Sequence, residues 1–391
     1  MKSRRCSAAL ILAAALAGCA AQVPKLEPGK GPPTELSEQG LWLASRMAEQ
    51  STAISGRRIE DPALEDYVAR VQCRVSTDYC PQIRVYTMQV PDFNASMAPN
   101  GFAQVWTGLL LRVENEAQLA TVLAHETAHY IQRHTLEQFK TTRQTAKLLL
   151  ATQFGLLFGG VGVISAGPVG FSTGAISQLI AMGYLASYSR EQEAEADRIG
   201  FELMTQAGYA PREAAEIWAH LLEEQRECDL PTPPALFASH PPSAERLQTL
   251  RRLAERSGKS GVTGRADFLE ATLPHRGKWL RMELAARHIC RVRVLLERLI
   301  DQGENLGELY YYQGEVYRLR GEQGDLERAI KAYRNALDYP AAPVETQREL
   351  GRVLWRAERP VEARRAFLRY LNAAQSADDA AMIEAYLERL P

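Results

Sequence analysis

The chain has 391 residues, enough for roughly two or three domains. Hydrophobic residues make up 46% and charged residues 24%, the balance of an ordinary globular protein. A formal net charge of −1 removes the main reason to expect a nucleic-acid partner. Arginine is dense from Arg276 to Arg298, but interleaved acids predict a solvated helix face there.

Lys2, Arg4 and Arg5 form a positive leader, followed by an apolar run from Ala8 to Leu16. Leu16-Ala17-Gly18-Cys19 resembles a bacterial lipobox, which implies cleavage before Cys19 and lipidation of its thiol. Residues 1–18 then form a lipoprotein signal peptide; the alternative is a plain signal peptide with an incidental cysteine. Ala20 is not the aspartate that typically retains lipoproteins at the inner membrane. In a Gram-negative source the expectation is a periplasm-facing lipid anchor in the inner leaflet of the outer membrane. Residues 19–39, with Pro24, Pro28, Pro32 and Pro33, read as a tether. This compartment permits disulfides among Cys73, Cys80, Cys228 and Cys290. Cys73 with Cys80 could close a local loop and leave Cys228 for Cys290, but three connectivities remain open.

Glu35 to Gln50 and Pro62 to Cys73 read as helices. Ile83 to Val90 reads as a strand, and Phe102 to Leu110 as a second extended run after a turn at Pro99-Asn100-Gly101. The stretch from Phe93 to Trp106 could present an edge strand to an unfolded polypeptide. Asn115 and Gln118 then open an apolar helix carrying His125-Glu126-Thr127-Ala128-His129. Two histidines four apart share one helix face and can grip one Zn²⁺ per chain, with Glu126 placed to take a proton from a bound water. This H-E-x-x-H pattern is the zinc-protease signature. Strands before a metal helix suggest an α+β domain, mostly helical with a small sheet.

Leu148 to Ser189 has no charged residue and eight glycines, which favours buried helices or a lid over a membrane-inserted hairpin. Ser189 and Gln192 start another helix, on which Glu193 and Asp197 share a face. One carboxylate can bind metal while the other accepts a hydrogen bond from a ligating imidazole; Glu191 and Glu195 point elsewhere. After Pro274 the pattern turns to helical pairs. Gly314, Tyr317, Ala329, Tyr333 and Ala336, then Gly351, Leu354, Ala363 and Phe367, resemble the small and aromatic spacing of tetratricopeptide repeats, with the first helix-to-helix interval three residues too long; the alternative is generic helical hairpins. The division is a metallopeptidase domain over 40–272 and an all-α TPR-like domain over 273–391.

From Ile83 to Leu250 the chain resembles the HtpX/BepA-like gluzincin metallopeptidases. Asn94-Ala95, Gly108-Leu109-Leu110, H-E-T-A-H with Arg133-His134, S-R-x-x-E-x-E-A-D and Ser239-His240-Pro241-Pro242-Ser243 with Arg246 carry the likeness. It implies His125, His129 and Glu193 as zinc ligands and Asp197 behind them. It also implies that His240 can approach the zinc as a regulatory fourth ligand. His240 or Arg246 could donate to the transition state. The implied function is a zinc endopeptidase of periplasmic quality control, using zinc-activated water and Glu126 to degrade misfolded or stalled envelope and outer-membrane proteins. Its expected partners are such polypeptides, the outer-membrane assembly machinery through the helical repeats, and the membrane through the lipid. The competing readings are a chaperone or scaffold with a structural zinc and, more weakly, an integral-membrane peptidase.

Overall fold

Asp61 and Pro62 show how local chemistry starts the fold. The Asp61 carboxylate accepts from the backbone N–H of Ala63 and Leu64, and Pro62 sits where no intrahelical donor is needed. The computed structural model describes residues 23–31, 33–142, 188–229, 240, 243–374 and 378–390. The leader, Cys19, Ser239, Pro241-Pro242 and the uncharged stretch up to residue 187 lie outside the described residues.

The elements are α1 (Leu36–Ala53), α2 (Pro62–Val75), β1 (Arg84–Met88), β2 (Ala95–Met97), β3 (Phe102–Trp106), α3 (Thr107–Arg112) and α4 (Glu116–Gln132), with a helical stretch over 134–142. There follow α5 (Arg190–Gln206), α6 (Glu213–Glu227), α7 (Ala244–Ser257), α8 (Arg265–Ala285), α9 (Ile289–Asp301), α10 (Leu306–Arg320), α11 (Asp325–Leu337), α12 (Glu345–Arg356), α13 (Pro360–Ala373) and α14 (Ala380–Glu388). The fold is thus a mostly helical α+β unit with a three-stranded sheet, followed by an all-helical unit. One continuous apolar core runs through both, from Ile59 to Leu390. The 272/273 division falls inside α8. Among the described residues no helix is long and apolar enough to cross a membrane.

The sheet order is β1-β3-β2, with β3 parallel to β1 and antiparallel to β2. Phe102–Trp106 is therefore the central strand, and the edge within Phe93 to Trp106 is only the three-residue β2. The second extended run stops at Trp106 rather than Leu110. Thr107 and Gly108 both bond to the Val90 carbonyl, and Gly108 lies so close to the Asp92 backbone that a side chain there would collide. This turns the chain into α3, whose residues are all buried.

The 19–39 tether is docked on the body where it is described. Leu26 donates to the Ile131 carbonyl and accepts from Tyr79, and Val23 packs with Leu41 and Leu136. Of the arginines from Arg276 onward, Arg281 and Arg287 are exposed as expected, but two others depart from a solvated face. Arg276 and Arg291 are buried, the latter against Glu224 and Asp92. Arg112, wholly buried, pairs with Glu224 and Glu283, so ion pairs tie α3, α6, α8 and α9 together. Cys73 pairs with Cys80 and Cys228 with Cys290, which settles the connectivity. In the helical unit the Gly314 position lies on the Tyr333 ring and Gly351 on the Phe367 ring. Small residues here let α10 meet α11 and α12 meet α13 with an aromatic between.

Candidate metal centre

Asn115 caps α4 by accepting from the Gln118 N–H, and Gln118 turns its side-chain oxygen back onto the Glu114 N–H. α4 is buried along nearly its whole length, so His125, Glu126 and His129 lie inside the protein. Ser189 and Gln192 form a reciprocal capping box that starts α5. Gly200 of α5 lies against the His125 backbone, where a Cβ would come within 2.9 Å of the His125 nitrogen. That close approach of helices carries Glu193 and Asp197 to the histidines. Ser243 caps α7, and His240 precedes it.

Four buried side chains converge. Nε2 of His125 is 3.1 Å from Nε2 of His129 and 3.1 Å from Nδ1 of His240. Glu193 lies 3.5 Å from His125 Nε2, 3.4 Å from His129 Nε2 and 2.7 Å from His240 Nδ1. One donor atom from each of the four fits within a 4.8 Å cluster. Zinc with bonds of roughly 2.0–2.1 Å sets tetrahedral donor atoms about 3.3 Å apart, close to these spacings. Ring nitrogens this close are joined either by an N–H···N hydrogen bond or by a shared cation, and the Glu193 carboxylate beside them adds the anionic donor a divalent ion takes. The donor set therefore fits a zinc-type ion.

Asp197 stands behind this cluster, its Oδ1 3.1 Å from Nδ1 of His125. The N–H direction is not well aligned, so the contact is more an ion pair than a hydrogen bond. Burial opposes the charge on His125, but Asp197 and Glu193 outweigh it and raise its pKa to about 9. Burial also works against the Glu193 carboxylate, yet His240, His125 and His129 hold it far below the ordinary range. Burial drives His129 well below its usual value. Burial raises the Glu126 carboxyl, against the pull of His240 and His125. Its Oε1 has no hydrogen-bond partner among the described residues and faces His240 Nε2 at 3.6 Å.

Arg246 is placed differently from a transition-state donor. Its Nε and Nη2 donate to both oxygens of Asp197, at 2.8 and 2.7 Å, and its Nη1 meets Glu193 at 2.7 Å. The guanidinium is stacked 4.2 Å over the Trp218 ring. It braces the two α5 carboxylates.

Three groups take places at the site that the sequence reading did not give them. His134 sets its Nδ1 2.7 Å from Nδ1 of His129, and its Nε2 faces Glu195 at 3.5 Å. Glu195 thus reaches the cluster at one remove rather than pointing away. Tyr188 stacks on the His129 ring at 3.9 Å and shares a hydrogen bond with Thr135. Spacing could have flagged only His134, five residues beyond His129, and on a continuous helix that offset lies about 140° around the axis. Cys19 lies outside the described residues.

Comparison with known proteins adds an independent finding. The sequence profile described as Peptidase family M48 matches residues 59–254, which include all four converging side chains. The chain is 30% identical over 166 residues to the mitochondrial metalloendopeptidase OMA1 of Schizosaccharomyces pombe, covering 42% of this chain and 45% of that one. It is 32% identical over 224 residues to the mitochondrial metalloendopeptidase OMA1 of Bos taurus, covering 55% and 41%. It is 25% identical over 213 residues to the beta-barrel assembly-enhancing protease of Escherichia coli, covering 54% and 43%. The matched part spans less than half the length of each of these relatives.

Proposed function

This chain belongs to Peptidase family M48, and from that membership we propose a zinc-dependent endopeptidase that cleaves misfolded or stalled envelope proteins. The observation that carries the reading is the convergence of His125, His129 and Glu193 beside a buried Glu126 whose Oε1 accepts no hydrogen bond among the described residues. Those three residues would hold the metal. A zinc ion bound there supplies a Lewis acid and a water acidic enough to ionise near neutrality. Glu126, kept basic enough by burial, takes the proton of the attacking water and delivers it to the leaving amine. Asp197 orients His125, and Arg246 holds Asp197 and Glu193 in place. The short edge strand β2, beside α4, can pair with an extended substrate through main-chain hydrogen bonds.

His240 takes the fourth corner in this arrangement. With Nδ1 of His240 in place, four protein donors surround the centre and a substrate carbonyl has no position. His240 acts as a regulatory ligand that withdraws when substrate arrives. A structural zinc under a scaffolding function would also use four donors. Glu126 favours the peptidase, since a purely structural site has no use for a buried carboxylate oxygen that accepts no hydrogen bond among the described residues and has only a 3.6 Å contact with His240.

The lipobox-like leader supports a periplasm-facing lipid anchor at Cys19, at the outer membrane. The beta-barrel assembly-enhancing protease among the relatives supports an outer-membrane assembly setting, with the TPR-like helical unit as the docking part. Glu126→Gln tests the central claim. The expected result is loss of cleavage of an unfolded protein such as casein, with zinc content unchanged by elemental analysis. Cleavage persisting in the pure variant refutes the assignment. His240→Ala should raise cleavage if His240 is an occluding ligand, and leave it absent if the zinc is structural.

A further inference from the structure

We infer that the outward face of α1 is a bilayer-docking surface that lays the body of the protein against the membrane. Leu36, Leu43 and Met47 are spaced 7 and 4 residues apart and so share one stripe of the helix, and Ile54, the C-cap residue, continues it 7 residues further on. They are 84%, 55%, 62% and 88% exposed. Single exposed apolar side chains are ordinary, but four in register along a helix are not. The rest of this face is uncharged: Gln39, Gly40, Gln50 and Ser51. The opposite face is the packed one, with Leu41, Ser45 and Thr52 buried. Both acids of the helix turn away from the stripe, Glu38 onto Arg133 and Glu49 onto Arg84. Arg46 is exposed on one flank of the stripe and Arg57 just beyond its end, where anionic headgroups would meet them.

The course of the N-terminal chain identifies the occupant. Val23 packs against the cluster that Leu41, on the inner face of this helix, forms with Leu136. Cys19 is four residues earlier, a reach of at most about 14 Å even when fully extended. A helix is about 10–12 Å across, so acyl chains on Cys19 would hold the bilayer close enough to meet the outer stripe. An amphipathic helix with an apolar face and flanking arginines is the form that lies in a membrane interface. This inference rests on the lipid-anchor reading of Cys19.

The test places a nitroxide at Leu43→Cys in the full acylated chain, mixed with vesicles of phosphatidylethanolamine and phosphatidylglycerol. A second labelled chain, Lys331→Cys in α11, serves as the control, since Lys331 is exposed in the helical unit. Flotation first reports whether the chain is vesicle-bound. The same labels on a Cys19→Ser chain in buffer give the unbound reference. The expected result is that collisions with a nickel chelate fall about threefold or more at position 43 on vesicles, while oxygen collisions rise and position 331 is unchanged. Free collision with nickel at position 43 on a floated chain overturns the docking surface while leaving the lipid anchor standing. Equal shielding at position 43 in buffer overturns it in favour of a second copy, or of residues 148–185 of this chain, covering the stripe. An acylated chain that fails to float removes the anchor and the docking surface together.

Discussion

Nδ1 of His134 lies 2.7 Å from Nδ1 of His129, both rings buried, with Glu195 facing the far nitrogen of His134 at 3.5 Å. If His129 binds metal through Nε2, its proton must sit on Nδ1 and be donated to His134. His134, accepting at Nδ1, then carries its single proton on Nε2, directed toward Glu195. The row of groups fixes both the tautomer and the ring angle of the ligand. His134→Ala should weaken zinc binding by about 10–100-fold, measured by competition with a chelator. His134→Asn, whose side-chain oxygen can replace Nδ1 as acceptor, should recover much of that loss. Equal affinities for the wild type and the alanine variant would dismiss this role.

Arg246 makes a second prediction because it serves two buried carboxylates at once. Arg246→Met removes the guanidinium from Asp197 and Glu193, leaves them only the histidines, and should destabilise the metal-free protein by about 3 kcal/mol. Lysine cannot reproduce the forked contact to Asp197, so Arg246→Lys should restore little. Denaturant melts of the chelated proteins measure this directly. A melt of Arg246→Met within 1 kcal/mol or so of wild type would mean that the carboxylates find other partners.

What was legible in the chain was local. The His125 and His129 pair, the Asn115 cap, the capping box at Ser189, and the shared face of Glu193 and Asp197 all depend on spacing within one or two helical turns. What was not legible depends on returns of the chain. Arg133 adopts a left-handed conformation, φ 60°, which ends α4 and folds His134 back onto His129. No spacing rule announces that reversal. The apolar run after Trp106 fits strand or helix equally until the Val90 carbonyl is found capturing Thr107 and Gly108. Arg276 and Arg291 look solvated beside their sequence neighbours, yet their partners Glu308, Glu224 and Asp92 come from elsewhere in the fold.

The two disulfides should differ in worth. Cys228–Cys290 spans 62 residues and joins the end of α6 to α9, whereas Cys73–Cys80 spans 7. Restricting the unfolded chain over those separations gives about 4 kcal/mol for the first and about 2 kcal/mol for the second. A Cys228→Ser/Cys290→Ser double variant should therefore lose more stability than the Cys73→Ser/Cys80→Ser pair. Paired chemical melts under non-reducing conditions decide the order, and the reverse ranking would refute it.

His220 offers the cleanest pH test, since it is not one of the converging donor residues. Burial and then the Arg298 charge push its pKa from 6.5 down to about 3. Its Nδ1 has no partner among the described residues, and Nε2 is 3.7 Å from Glu114, itself paired with Arg298. Between pH 6.5 and 3 the folded ring stays neutral while the unfolded ring takes up a proton. Its stabilising effect is complete above the unfolded value and is lost as the pH falls through that window, by up to about 1.4 kcal/mol per unit. In His220→Gln that contribution is absent. Subtracting its unfolding free energies from those of the wild type should leave a curve flat above pH 6.5 and falling below it. Parallel curves for the two proteins across that range would show that the ring is free to charge in the fold.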